Sequence, residues 1–186
     1  GLLMKAKNYN VRARRSFIFT PGIKPEMFPK ALASGADIVC VELEDGVAPK
    51  DKAIARKNAI SLFEKPQKND GVERLVRINC IREAFGIADI QAILSTDKPP
   101  PSLMIPKVKS PDEILILDSL LTERGHDTRL QVIIETNEGL ESAVDIAKCC
   151  SRIDALLFGP NVLTFNFLSL STIPFTRGSS GPTTTK

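Results

Sequence analysis

Tryptophan is absent from this 186-residue chain, and tyrosine and histidine occur once each. Proteins that grip single-stranded nucleic acid interleave aromatic platforms with basic residues, and no such surface is written here, so nucleic acid is not an expected partner. A single histidine cannot build a histidine-rich metal site, and the four cysteines, at 40, 80, 149 and 150, include no Cys-x-x-Cys. Zinc-finger spacing is therefore missing and a disulfide framework is not expected. No apolar run approaches the roughly 18 residues of a membrane-spanning helix, which makes a soluble protein with no membrane partner the expectation. Gly-x-Gly-x-x-Gly and the P-loop are also missing, and with them two common phosphate cradles. What remains, 42% hydrophobic and 25% charged residues, is ordinary globular composition.

Charge is unevenly placed. The chain carries a net +3, but its first 30 residues hold seven Lys or Arg against one Glu. Residues 1–14 read as a basic arm, with solvent as its simplest partner. Gly1-Leu-Leu-Met-Lys5 shows no long apolar stretch, so a secretory signal is not expected. The free-thiol pattern fits a reducing compartment, the cytoplasm or, in a eukaryotic cell, the mitochondrial matrix.

Short aliphatic and β-branched runs recur, each followed by a longer stretch of helical character, which is the rhythm of successive βα units. Six strands are predicted: Arg15–Thr20, Ala36–Leu43, Arg74–Asn79, Ser102–Lys107, Leu130–Glu135 and Ala155–Phe158. Several are apolar nearly throughout, as expected of strands covered on both faces. Between them, helices are predicted over Pro25–Ser34, Lys50–Phe63, the run opened by Ser110-Pro-Asp-Glu113, and Asn137–Cys149. In the second, Ala53, Ile54, Ile60 and Phe63 are expected to face the sheet. Ser110 and Glu113 stand in capping-box spacing with Pro at the first helical position. His126, in Arg124-Gly-His-Asp, reads as a solvated loop residue. Cys40 reads as a small core residue, and Cys149 and Cys150 as inert.

A (β/α)₈ barrel needs eight strands, and six are legible, so the pattern is either an incomplete barrel or an open α/β sheet. After Gly159 the rhythm stops. Residues 15–162 are assigned to a partial barrel domain and residues 163–186 to a divergent, disordered tail.

In parallel βα folds functional groups gather where strands end at their carboxyl termini. Strand two ends in Glu42, Glu44 and Asp45, strand three in Arg77 and Asn79, strand four in Lys107, and strand five in Glu135. One carboxylate after a strand is commonly a helix cap. Several strands ending this way point to a site.

These residues also carry a resemblance. The string Val41-Glu-Leu-Glu-Asp-Gly-Val-Ala-Pro-Lys-Asp-Lys-Ala-Ile-Ala-Arg56 resembles the Leu-Glu-Asp-Ala-Val signature, with its later Lys and Ala-Arg, of citrate lyase beta-subunit-like proteins in the HpcH/HpaI aldolase superfamily. Four further strings agree in order: Arg15-Ser-x-Ile-Phe-x-Pro-Gly22, Val76-Arg-Ile-Asn79, Ile105-Pro-Lys-Val108 with Ser110-Pro-Asp-Glu113, and Ile133-Ile-Glu-Thr-x-x-Gly139. The resemblance implies an enzyme on a (β/α)₈ TIM barrel, a magnesium-dependent carbon-carbon lyase. It would cleave a citryl or malyl thioester, carried on CoA or an acyl carrier, into an acyl thioester and a 2-oxo acid. It implies Glu135 as Mg²⁺ ligand and substrate contact, Arg77 as substrate-binding and catalytic arginine, and Glu44 and Asp45 as an acidic catalytic pair beside the metal. Lys107 shares the strand-end position, either as a site residue or in a structural ion pair. Arg12, Arg14, Arg15 and Lys24 could meet CoA phosphates, and a complete barrel would be expected to form a homo-oligomer.

The resemblance breaks after Gly159, where the family's last two βα units and the C-terminal segment expected to carry an acidic catalytic group find no match, and at one residue in particular. A second metal-binding Asp is expected three residues after the Gly of a Phe-Gly-x-x-Asp string, and here the string is Phe158-Gly-Pro-Asn-Val162. Val162 offers magnesium no oxygen, and Asn161 places an amide one position early. This departure leaves an impaired homologue that only binds acyl-CoA or oxo acid as the alternative expectation.

Overall fold

The computed structural model describes residues 14–159. Six strands are formed: β1 (Phe17–Pro21), β2 (Ile38–Glu42), β3 (Glu73–Arg77), β4 (Ser102–Ile105), β5 (Arg129–Ile134) and β6 (Ile153–Phe158). All neighbours pair in parallel, in the order β1-β2-β3-β4-β5-β6. A doubly wound sheet reverses its strand order at a switch point, and among the described residues this sheet never reverses. Sequential parallel winding is that of the (β/α)₈ barrel, so the six strands are an incomplete barrel and not an open two-layer sheet. The expected strands all appear, with no end shifted by more than two residues.

Six helices follow in sequence: α1 (Met27–Leu32), α2 (Lys52–Glu64), α3 (Ala84–Ser95), α4 (Pro111–Glu123), α5 (Asn137–Glu141) and α6 (Ala143–Lys148). Strand side chains alternate between two apolar clusters. Val39, Val41, Val76, Ile78, Leu103, Ile105, Val132 and Ile134 pack with helix residues such as Phe28, Ala55, Ile93, Ile114, Leu121 and Ile146. Ile38, Cys40, Leu75, Met104 and Ile133 form the other cluster, on the barrel's inner face. Lower on that face Glu73 is buried and accepts from Arg14 at 2.8 Å and from Gln131 at 2.7 Å. A buried charge is tolerable only with such partners.

Several local expectations are corrected. Helix α3 is additional to the expected helices: Ala84–Ser95 is apolar around most of its circumference and no polar face announces it. The helix expected from Lys50 begins with a 3₁₀ turn over Pro49–Asp51, and its inward face is Lys52, Ala55, Ala59 and Phe63. Ala53 and Ile54 are exposed, whereas Ile60 is half-buried against the core. Helix α1 is shorter than Pro25–Ser34, and the helix expected over Asn137–Cys149 breaks at Ser142 into α5 and α6. Ser110 stands at the N-cap of α4 without a side-chain bond, and the Glu113 carboxylate accepts from Arg82 at 2.7 and 2.8 Å instead of closing a capping box. His126 is buried, not solvated: the loop folds under the barrel and sets its Nε2 3.2 Å from the Ile93 carbonyl oxygen. Arg14 and Arg15 are engaged by Glu73 and Asp37 at the amino ends of the strands, opposite the strand ends expected to bear the site. Arg12 with the rest of the basic arm, Asn161, Val162 and the tail lie outside the described residues.

Candidate active site

Register places the strand-end residues together. Glu42 on β2 lies beside Arg77 on β3, and Arg77 beside Met104 on β4. The Arg77 guanidinium is bonded to Glu42, lies 3.4 Å from Glu44, and rests over the Phe19 ring with 4.7 Å to the centroid. Glu42 in turn accepts the backbone N–H of Glu44 at 2.5 Å, tying the strand to the turn that follows it. Both carboxylates are buried, so the arginine answers two charges that water cannot reach. One donor is left over: Arg77 Nε–H is buried and has no hydrogen-bond partner among the described residues.

Lys107 joins this group from β4. Its Nζ lies 2.8 Å from Glu44 and 3.5 Å from Asp45, and the bond to Glu44 holds the ammonium well above the usual lysine range. The two members of the acidic pair therefore differ. Glu44 is buried between two cations, whereas Asp45 stands at the rim with its side chain 73% exposed.

Glu135 follows β5. Its Oε1 accepts the backbone N–H of Lys107 at 2.9 Å, and burial raises its pKa above the ordinary carboxylate value. It is not the helix cap: Thr136 takes that role, accepting the Gly139 N–H at 3.0 Å. A Cβ on Gly139 would stand 2.2 Å from the Val108 carbonyl oxygen, so only glycine lets α5 close on the β4–α4 loop and hold Glu135 beside Lys107. At the end of β6, a Cβ on Gly159 would come within 2.9 Å of the Glu135 Cβ. Glu135 thus keeps its position because two neighbouring backbones approach closely.

Arg77 and Glu135 line one cavity of about 240 Å³, floored by Met104 and Ile133 and walled by Phe19 and Leu157. A cavity of about 260 Å³ between α3 and α4 is almost wholly apolar, and Arg82 and Glu113 at its rim bind each other, so it offers no chemistry. Among the described residues no group of three or more His, Cys, Asp or Glu side chains is arranged to hold a metal ion. Glu135 supplies one carboxylate whose Oε2 makes no hydrogen bond among the described residues, and that donor set fits a singly anchored, largely hydrated Mg²⁺ rather than a caged ion.

Sequence reasoning placed Arg77, Glu44, Asp45, Lys107 and Glu135, and the structure brings all five to the same end of the sheet. It missed the pairing of Glu42 with Arg77, the Phe19 ring beneath it, and a buried lysine, Lys52. The signal for Lys52 lay in the Lys and Ala-Arg of the quoted Val41–Arg56 string, whose spacing sets Lys52 and Ala55 on one helix face.

The model of the HpcH/HpaI aldolase/citrate lyase family matches residues 15–172. L-malyl-CoA/beta-methylmalyl-CoA lyase of Cereibacter sphaeroides is 35% identical over 156 residues, covering 80% of this chain and 48% of that protein. Citrate lyase subunit beta of Escherichia coli is 29% identical over 158 residues, covering 80% and 50%. The solved structure of the citrate lyase beta subunit from Mycobacterium tuberculosis, complexed with oxaloacetate and magnesium, superposes with a TM-score of 0.64 at 28% identity, covering 83% of this chain and 63% of that one. The chain spans about half the length of the curated relatives it matches. With the sequential parallel strands and the ordered strand-end motifs, these matches place the chain in the HpcH/HpaI aldolase/citrate lyase family.

Proposed function

We propose that this chain carries the oxo-acid-binding part of a magnesium-dependent carbon-carbon lyase of the citrate lyase beta-subunit type. The substrate is a citryl or malyl thioester of CoA or an acyl carrier, and the products are an acyl thioester and a 2-oxo acid. The observation that carries this reading is the placement of Arg77 and Glu135, from β3 and β5, on one cavity at the carboxyl ends of the strands. The names of the malyl-CoA and citrate lyases among its relatives, and the magnesium and oxaloacetate bound to one of them, support it.

Each residue has a task that follows from its surroundings. Arg77 is held by Glu42, Glu44 and Phe19 on the wall of the cavity, where its permanent charge can meet the carboxylate or oxyanion of a bound oxo acid. Glu44 orients Arg77 and Lys107, and Asp45 meets the Lys107 ammonium at the rim. Glu135 would hold Mg²⁺ through Oε2. Magnesium, when bound, supplies a Lewis acid for the oxo-acid oxygens. Met104 and Ile133 give the cavity an apolar floor. Residues 15–162 form the barrel domain of this reading, the location is cytoplasmic, and the complete barrel assembles as a homo-oligomer. Among the described residues no helix is long and apolar enough to cross a membrane.

Calorimetry with Mg²⁺ and oxaloacetate or glyoxylate, together with release of oxo acid from malyl-CoA and citryl-CoA, tests the proposal. Binding, and any release, should depend on Mg²⁺ and be lost in Glu135→Ala and Arg77→Ala. No binding in the parent, or binding unchanged in both variants, overturns it.

A further inference from the structure

Lys52 is buried in the first turn of α2, yet its ammonium is fully answered: Nζ donates to the Leu43 carbonyl at 2.8 Å, the Glu44 carbonyl at 2.5 Å and Asn79 Oδ1 at 2.6 Å. Asn79 is itself fixed, its N–H and Nδ2 donating to Asp89 Oδ2 at 2.8 and 2.7 Å, while Asp89 Oδ1 accepts from Arg56 at 2.6 Å. One ammonium thus ties the turn after β2, the start of α2 and the turn after β3. No carboxylate of the cavity touches it directly. Its hydrogen-bonded route to the site is the main chain of Leu43 and Glu44.

We propose that Lys52 is a positioning residue: by clamping the carbonyls of Leu43 and Glu44 against Asn79 it sets the Glu44 carboxylate where it holds Arg77 and Lys107, and so preorganises the oxo-acid-binding arginine. This rests on the oxo-acid reading of the cavity. The chemistry favours a clamp over a plain packing role, since a methionine would fill the same space but leave the buried Leu43 carbonyl and Asn79 Oδ1 without a donor, and leave the Glu44 carbonyl only the Val47 N–H. A three-donor ammonium converging on two turns fixes their separation, which an apolar side chain cannot do.

The test uses the full chain and three variants, Lys52→Met, Asn79→Ala and Leu121→Ala. The last deletes a core side chain of α4 outside the site and controls for lost stability alone. Oxaloacetate affinity in the presence of Mg²⁺ should fall about 10- to 100-fold in the first two, the usual loss when an outer hydrogen-bonding partner is removed, and stay unchanged in Leu121→Ala. In a Glu44→Gln background, Lys52→Met should lower the melting temperature but weaken binding no further, because its effect runs through Glu44. Unchanged affinity in Lys52→Met, or a full additional loss in the Glu44→Gln background, overturns the proposal. Should the parent bind no oxo acid, the cavity reading fails by itself, and the clamp is then judged on the Arg77 Nε–H resonance. The same displacement in Lys52→Met as in Glu44→Gln supports it, and an unmoved resonance in Lys52→Met overturns it.

Discussion

Lys107 donates its backbone N–H to Glu135 Oε1 at 2.9 Å while holding φ at 55°, and it is the only non-glycine residue with positive φ among the described residues. A left-handed lysine is strained, and the strain persists because Glu44 holds the ammonium and Glu135 holds the amide. Ala and Gly at this position both delete the ammonium and differ only in their tolerance of that backbone. Lys107→Gly should therefore be more stable than Lys107→Ala by about 1 kcal/mol in urea unfolding. Equal stabilities would show that the residue relaxes out of the left-handed region.

Arg77 separates two buried carboxylates, so its removal should be felt without any ligand. Arg77→Met leaves Glu42 and Glu44 without that cation and should destabilise the chain by roughly 3 kcal/mol, the scale for breaking a buried ion pair. Arg77→Lys should recover part of this stability but not oxo-acid binding, since an ammonium lacks the planar fork. Denaturant unfolding and calorimetry on the same preparations separate the two effects.

Burial raises the Glu135 pKa, so the folded chain holds this proton more tightly than the unfolded chain does. The stabilisation is fully present below the ordinary carboxylate value and is lost as pH rises through the raised one. Glu135→Gln removes that dependence while its amide oxygen can still accept the Lys107 N–H. The stability of the variant relative to the parent should therefore rise between about pH 4 and pH 7. A flat or falling difference would contradict the sign.

The inward face of α2 is tested by two substitutions. Phe63 is 3% exposed and meets Phe28 edge-on, with 5.6 Å between ring centroids, whereas Ile54 is 50% exposed. Phe63→Ala should cost about 3–5 kcal/mol and Ile54→Ala about 0.5 kcal/mol or less. Similar losses in the melting curves would mean that the helix is rotated from this face.

The Cys149 thiol is pushed up to about 11, chiefly by burial, with Cys150 beside it adding to the effect. At about pH 8 its thiolate fraction should be on the order of a hundredfold below that of an ordinary cysteine. Mass spectrometry of iodoacetamide alkylation in a Cys150→Ser background measures this. Labelling as fast as an unfolded control would refute the burial.

The sequence by itself determined the six strands, their parallel βα rhythm and the placing of Arg77, Lys107 and Glu135 at strand ends. These follow from local hydrophobic periodicity and from where each apolar run stops. It did not distinguish an incomplete barrel from an open sheet, which needed the strand order. Nor did it separate Glu44 from Asp45: adjacent in the chain, one is buried between Arg77 and Lys107 and the other stands in water. Lys52 and His126 carry polar labels in any sequence reading, yet both are buried because distant segments bring them acceptors, Asn79 for one and the Ile93 carbonyl for the other. Periodicity tells which residues face inward on one element. Which charge meets which is decided only when the strands settle into register and the loops pack, because those contacts join residues that the local pattern cannot relate.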